Sequence, residues 1–213
     1  MLDLERLDAA EIARAPFAYA IVPGFVRKEF RDTIETDYPR IKRSGSFPLP
    51  ALSCGPAFAE LIRELTAPRM CALIGQKLGI DLDGRPTMVT VRGQCTARDG
   101  YIHTDSTTKL VTMLLYTNRP WECAAARLRL LRSATDLDDY VAEVPAEEST
   151  LVLFRNASNA WHGFAPFHGE RRVIQVNWVT DERVVAREQT RHRVSAYFKR
   201  LFGSSDKSHA AAH

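Results

Sequence analysis

Cysteine is scarce and scattered: Cys54, Cys71, Cys95 and Cys123 include no C-x-x-C pair. That spacing gives no zinc-ribbon signature and no dithiol motif, and the four residues read as reduced thiols rather than ligands or nucleophiles. No apolar run approaches the roughly 20 residues of a membrane-spanning helix. Charge of one sign is also missing: 29 Lys and Arg against 26 Asp and Glu leave a formal net charge of +3, with the signs interspersed. So mild a balance does not predict a nucleic-acid partner. The opening stretch MLDLERLDAAEIARA is charged throughout and lacks an apolar h-region, so no signal peptide and a cytoplasmic location are expected. Internal repeats, low-complexity tracts and linker-like segments are absent as well. With 213 residues, the chain is long enough to bury a core without staples. It is expected to form one domain over 1–213.

What is present divides near Pro86. Before it the pattern is mostly helical. A capping box at Asp8–Glu11 predicts an early helix, with a start nearer Asp3 as the alternative. A short β-like run, Phe17–Val22, closes on Pro23-Gly24. Helices are predicted at Lys28–Tyr38, stopped by Pro39, then at Ala57–Leu65 and Arg69–Leu78. Ser44–Pro56, rich in Gly, Pro and Ser, reads as a loop that is free to border a site. After Pro86 come short apolar or alternating runs: Thr87–Val91, Leu110–Tyr116, Leu128–Leu131, Val141–Val144, Thr150–Phe154 and Val173–Val179. Turn-forming residues separate them at intervals that suit an antiparallel sandwich or barrel. Helix returns at Glu182–Phe202, and residues 203–213 are expected to be disordered.

The chemistry concentrates in RDGYIHTDSTTKLVTMLLYTN, residues 98–118. If His103 and Asp105 lie on a strand, their i, i+2 spacing sends an imidazole and a carboxylate to one face. Two histidines and one carboxylate form the set that holds non-haem Fe(II) with positions left open. His162, in Trp161-His162-Gly163, is the candidate third ligand. Arg171 follows nine residues later at the head of RRVIQVNWV. A guanidinium that enters an apolar barrel is costly unless an anion meets it, and its fork suits a carboxylate. Alternation alone leaves Arg171 and Arg172 as rivals for that inward position. Tyr116 is either a second donor to the same carboxylate or a core aromatic.

These residues resemble the Fe(II)/2-oxoglutarate-dependent dioxygenases, particularly the prolyl-4-hydroxylase-like branch. That pattern is HxD, a strand ending in YxN, a Gly-Gly turn, a PxxGxLvxF strand, and an HxxxP segment with Arg or Lys nine or ten residues beyond its His. Here it is matched by His103-Thr-Asp105, Tyr116-Thr-Asn118, Pro145 to Phe154, His162 to Pro166, and Arg171, over about Val89–Val179. The resemblance implies an α+β protein with a double-stranded β-helix (jelly-roll, cupin-like) core over 87–180. Helices over 1–86 would support it and a C-terminal helix over 181–202 would follow. It implies that His103, Asp105 and His162 bind Fe(II), and that Arg171 and Tyr116 hold 2-oxoglutarate. The reaction would couple O2 and the decarboxylation of 2-oxoglutarate to succinate and CO2 with hydroxylation of an unactivated C–H bond, ascorbate supporting turnover in vitro. Two departures concern turns: Ala125-Ala126 replaces Gly-Gly, and Ser149 stands where the pattern has Gly. The upstream tyrosine of the pattern has no counterpart; Gln94 lies near its place.

A cupin-like binding module that oxidises nothing, or a barrel metalloenzyme that uses no oxo acid, are the other readings. The intact triad argues against the first, and Arg171 at its offset against the second. The remaining basic residues, Arg127, Arg129, Arg132, Arg155 and the stretch Arg183–Arg193, read as solvated faces, and His168 as a surface residue in a turn. The primary substrate is open among a protein residue, an amino acid, a sugar and a lipid intermediate, because loops such as Ser44–Pro56 and Thr96–Tyr101 would select it. Oligomeric state is equally open.

Overall fold

The computed structural model describes residues 1–119, 124–146 and 149–187. Helices come first. α1 (Leu4–Ala9) is capped by Asp3, whose carboxylate accepts the Arg6 backbone N–H at 2.9 Å. The capping box at Asp8–Glu11 is therefore not a helix start, because those residues begin at the end of α1. β1 (Tyr19–Val22) precedes α2 (Lys28–Asp37), and Pro39 holds Tyr38 extended so that the helix stops. α3 (Pro56–Leu65) and α4 (Pro68–Leu78) each begin with proline in the first turn, where a missing N–H costs nothing. Phe58, Leu61, Ile62 and Leu65 give α3 an apolar stripe that is buried along its length.

Strands follow: β3 (Thr87–Cys95), β4 (Lys109–Tyr116), β5 (Leu128–Leu131), β6 (Tyr140–Val144), β7 (Leu151–Arg155), β8 (His162–Gly163) and β9 (Gly169–Val179). Within the expected loop 44–56, Phe47–Pro48 forms a short strand, β2, on the edge of β3, and Leu49–Ala51 a 3-10 turn. Neither β2 nor β8 is long enough to show a period in sequence. β3 runs past its predicted end at Val91 because an irregularity between Arg92 and Gln94 lets pairing with β9 resume.

Two antiparallel sheets result, one ordered β1-β7-β4-β9-β3-β2 and one ordered β6-β5-β8. The larger sheet is covered on both faces, so its central strands read as unbroken apolar runs. Val111, Met113 and Leu115 of β4, with Ile174, Val176 and Trp178 of β9, pack against the helices. Leu114, Tyr116 and Val173 turn the other way, toward Leu128, Leu130 and Val144 of the smaller sheet. That second, inner space is where Thr112, Arg171, Gln175 and Asn177 also point by strand parity.

Residues 182–187 are helical. The rest of the expected C-terminal helix, and the tail expected to be disordered, lie outside the described residues. Among the described residues no helix is long and apolar enough to cross a membrane.

Candidate metal and oxo-acid site

His103 and Asp105 do not sit on a strand, contrary to the i, i+2 reading. His103 forms an isolated antiparallel bridge with His162, and Asp105 lies in the irregular segment before β4. Reciprocal backbone bonds, His103 N–H to His162 O and His162 N–H to His103 O, both 3.0 Å, hold the two histidines side by side. Their ring centroids are 4.4 Å apart. Long-range pairing across the barrel mouth, rather than local alternation, brings the side chains together.

One ligand-capable atom from each of His103, Asp105 and His162 lies within 4.8 Å of the others. The imidazoles are oriented alike. Nδ1 of His103 is 2.9 Å from the Tyr101 carbonyl, and Nδ1 of His162 is 2.9 Å from the Ala160 carbonyl. A carbonyl only accepts, so each Nδ1 carries a proton, and in a neutral ring the lone pair is then on Nε2. Burial, reinforced by the neighbouring His103, lowers the pKa of His162 to about 4, which keeps it neutral near pH 7. Burial disfavours the charged form of Asp105, yet the Lys109 ammonium and then His162 and Thr112 outweigh it and hold its pKa below the usual carboxylate value. Lys109 Nζ donates to Asp105 Oδ1 at 2.6 Å and the Thr112 hydroxyl to Oδ2 at 2.5 Å. The site thus presents two imidazoles and one anionic carboxylate, a donor set that fits a divalent transition metal.

The turn that carries Asp105 is fastened by Asn156, just beyond β7. Its Nδ2 lies 2.7 Å from the Ser106 carbonyl, 2.9 Å from that of Lys109 and 3.4 Å from that of Asp105. On the other flank Gly100, at φ 96°, lies so close to Phe164 that a Cβ would meet the Phe164 carbonyl at 2.5 Å. Glycine is required here by both backbone angle and space. The Phe164 N–H donates to the Gly100 carbonyl at 2.8 Å, which sets the segment leading into His103.

Deeper in the same space lies Arg171, only 4% exposed. Nε donates to the Ala126 carbonyl and Nη2 to the Tyr116 hydroxyl, both at 3.0 Å, and the guanidinium sits 4.1 Å from the Phe164 ring centroid. No carboxylate pairs with it among the described residues. Arg172 faces the opposite way, where Glu35 and Glu170 neutralise it. The choice left open by alternation is therefore settled for Arg171 as the inward residue. Tyr116 is fully buried; burial raises its pKa despite Arg171, so it stays a phenol. Its oxygen accepts from Arg171, which leaves its own proton to donate.

Ser149 adopts φ 63°, the left-handed region, so the turn keeps the backbone form that glycine favours. Ala126, in place of the second turn glycine, is fully buried and offers its carbonyl to Arg171. Arg127 and Arg129 pair with Glu143 and are half-buried, not solvated as expected, whereas Arg132, which pairs with Asp139, and His168 are exposed as expected. Gln94 is half-buried, whereas Cys95 beside it is buried within the inner core. Lys109, Thr112 and Asn156 were not singled out from the sequence. For Thr112 a signal existed: a polar residue inside an apolar strand, at the same parity as Tyr116.

No protein-family model and no curated protein matches the sequence. Solved structures do match. A prolyl-4-hydroxylase from Pseudomonas putida superposes with a TM-score of 0.55 at 13% identity, over 76% of this chain and 92% of that one. The fold is that of the prolyl hydroxylases. A prolyl hydroxylase from Trichoplax adhaerens, in complex with a hypoxia inducible factor peptide fragment, gives 0.54 at 18% identity, covering 79% of this chain and 86% of that one. HygX from Streptomyces hygroscopicus, with nickel and 2-oxoglutarate bound, gives 0.52 at 15% identity, covering 84% and 87%. The α+β double-stranded β-helix expected from the motifs is therefore the fold of this chain.

Proposed function

We propose that the chain is a non-haem Fe(II)- and 2-oxoglutarate-dependent oxygenase, a hydroxylase of an unactivated C–H bond, and that 1–213 serves this as one domain. His103, Asp105 and His162 would hold the iron, and Arg171 with Tyr116 the far carboxylate of 2-oxoglutarate. Bound Fe(II) would supply the site at which O2 and the oxo acid react to give succinate and CO2. The observation that carries the reading is Arg171, a buried guanidinium with no described carboxylate partner, in the same barrel interior as the triad. Burial of such a cation is costly, and an anion that pairs with it offsets that cost.

The side chains divide the work. Each imidazole donates from Nδ1 to a backbone carbonyl, so that Nε2 is the atom left to offer a lone pair. Asp105 brings the one negative charge. Arg171 and the Tyr116 hydroxyl supply donors to a carboxylate, with Phe164 flanking the guanidinium and shielding it from water. A binding module would have no use for so complete a set.

Succinate formation tests this directly, with purified protein, Fe(II), ascorbate, O2 and 2-oxoglutarate. Wild type is expected to form succinate, His103→Ala to form none, and Arg171→Ala to do so only at much higher 2-oxoglutarate. Because such enzymes can idle without their primary substrate, anaerobic titration for an iron–oxo-acid charge-transfer band is the companion measurement. Absence of both succinate and band would overturn the oxygenase and favour a non-oxidising module.

A further inference from the structure

Behind the metal-site candidate lies a line of polar side chains that the proposed reaction does not use. Gln175 Nε2 donates to Asn177 Oδ1 at 2.8 Å, and Asn177 Nδ2 donates to Thr112 Oγ1 at 2.8 Å. The Thr112 hydroxyl in turn meets Asp105 Oδ2 at 2.5 Å. Asn177 is fully buried and Thr112 is 1% exposed. They are direct cross-strand partners on β4 and β9, where neighbouring pairs such as Met113 and Val176 are apolar. An amide and a hydroxyl at the centre of such a sheet cost stability unless their bonds are complete.

We infer that Gln175, Asn177 and Thr112 form a one-way hydrogen-bond relay whose purpose is to position the Asp105 carboxylate. The inference rests on the metal-binding reading of the triad. Direction follows from donor chemistry. Gln175 spends an amide N–H on Asn177 Oδ1, which fixes the Asn177 amide with its NH2 toward Thr112. Thr112 Oγ1 then accepts from Asn177, so its single proton goes to Asp105, a group that only accepts. The reverse order would turn a hydroxyl lone pair onto a carboxylate oxygen. Lys109, at the start of β4, grips the second oxygen. Asp105 consequently cannot turn about its terminal torsion without losing a bond at each end, and the ligand is oriented before any metal arrives. Gln175, Asn177 and Thr112 are positioning residues. Outer partners of metal ligands typically contribute about 10- to 100-fold in metal affinity.

The test is titration of metal-stripped protein with Co(II) alone, followed by the visible absorption of the bound cobalt. Wild type, His103→Ala, Thr112→Val, Thr112→Ser and Gln175→Met are compared. Wild type is expected to bind and His103→Ala not. Thr112→Val, isosteric but unable to donate, is expected to bind about 10- to 100-fold more weakly with an altered cobalt spectrum. Thr112→Ser, which keeps the hydroxyl, should restore both affinity and spectrum. Gln175→Met, which frees the Asn177 amide, should fall between. Metal-free melting temperatures within a few degrees of wild type place the loss in the metal complex. If Thr112→Val does not fold, the half-buried Gln175 carries the decision. Affinity and spectrum unchanged in Thr112→Val, or in Gln175→Met where the former fails, would overturn the relay and leave the metal site standing. No cobalt binding by wild type would overturn the metal site and the relay with it.

Discussion

Replacing Arg171 by Met separates the roles of that residue more sharply than any truncation. Methionine keeps the length and apolar volume of the side chain but removes the charge and every donor. In the ligand-free protein the losses are the bonds to the Ala126 carbonyl and the Tyr116 hydroxyl. Each is worth about 1 kcal/mol net. The contact with Phe164 contributes about 1–2 kcal/mol more. Against these stands relief of burying an incompletely paired cation, and exchange of buried ionic groups for apolar ones gains about 1–4 kcal/mol in comparable cases. The terms largely offset one another, so ligand-free stability should fall by no more than about 3 kcal/mol or rise by no more than about 1 kcal/mol. For a chain of this size that is a fall in Tm of about 6–12 °C at most. Affinity for 2-oxoglutarate has no such compensation: loss of a buried charge-assisted pair costs about 2–5 kcal/mol, or roughly 30- to several-thousand-fold. Calorimetric binding of 2-oxoglutarate to the Mn(II)-loaded protein, beside thermal unfolding of the ligand-free form, reads both quantities. Unchanged affinity, or a collapse of Tm well beyond about 12 °C, would show that Arg171 is a strut of the barrel and not an anion anchor.

His162 makes stability depend on pH. Its pKa is lowered to about 4 in the fold against 6.5 when exposed, so between those values the unfolded chain binds a proton that the native one does not. The contribution is therefore complete above pH 6.5 and lost as pH falls toward 4, by about 3 kcal/mol at 1.36 kcal/mol per unit. Urea unfolding of metal-stripped protein at pH 7 and 4.5 should show that loss, and His162→Gln should flatten the difference; equal slopes would refute the assignment. Gly100→Ala forces a Cβ to 2.5 Å from the Phe164 carbonyl at a left-handed φ, and should destabilise by about 2–4 kcal/mol in denaturant unfolding. Asn156→Ala removes the amide that lies against the carbonyls of Ser106, Lys109 and Asp105. It should cost about 1–3 kcal/mol of stability and weaken metal binding, and an unchanged Co(II) titration would show that the turn holds its shape unaided.

Some of this protein was fixed by local sequence. Helix α2 follows from the spacing of Phe30 and Ile34 and the stop at Pro39, and the strands β4 and β9 from apolar runs too short and too branched for helix. The trio His103, Asp105 and His162 was legible from motif spacing, although not from strand parity, and the inward pair Tyr116 and Arg171 from parity along β4 and β9. Tertiary structure decided what arithmetic leaves degenerate. Arg171 and Arg172 are equivalent to a reader of alternation, and only the placement of Glu35 and Glu170 on one side and Phe164 on the other separates them. The His103–His162 bridge joins two segments that carry no strand signal of their own, and β2 and β8 exist only because a longer strand offers them an edge. The relay behind Asp105 depends on the register that puts Thr112 opposite Asn177. Local preference reaches only a few residues along the backbone, whereas the pairing of distant segments is chosen by the burial and hydrogen bonding of the whole fold.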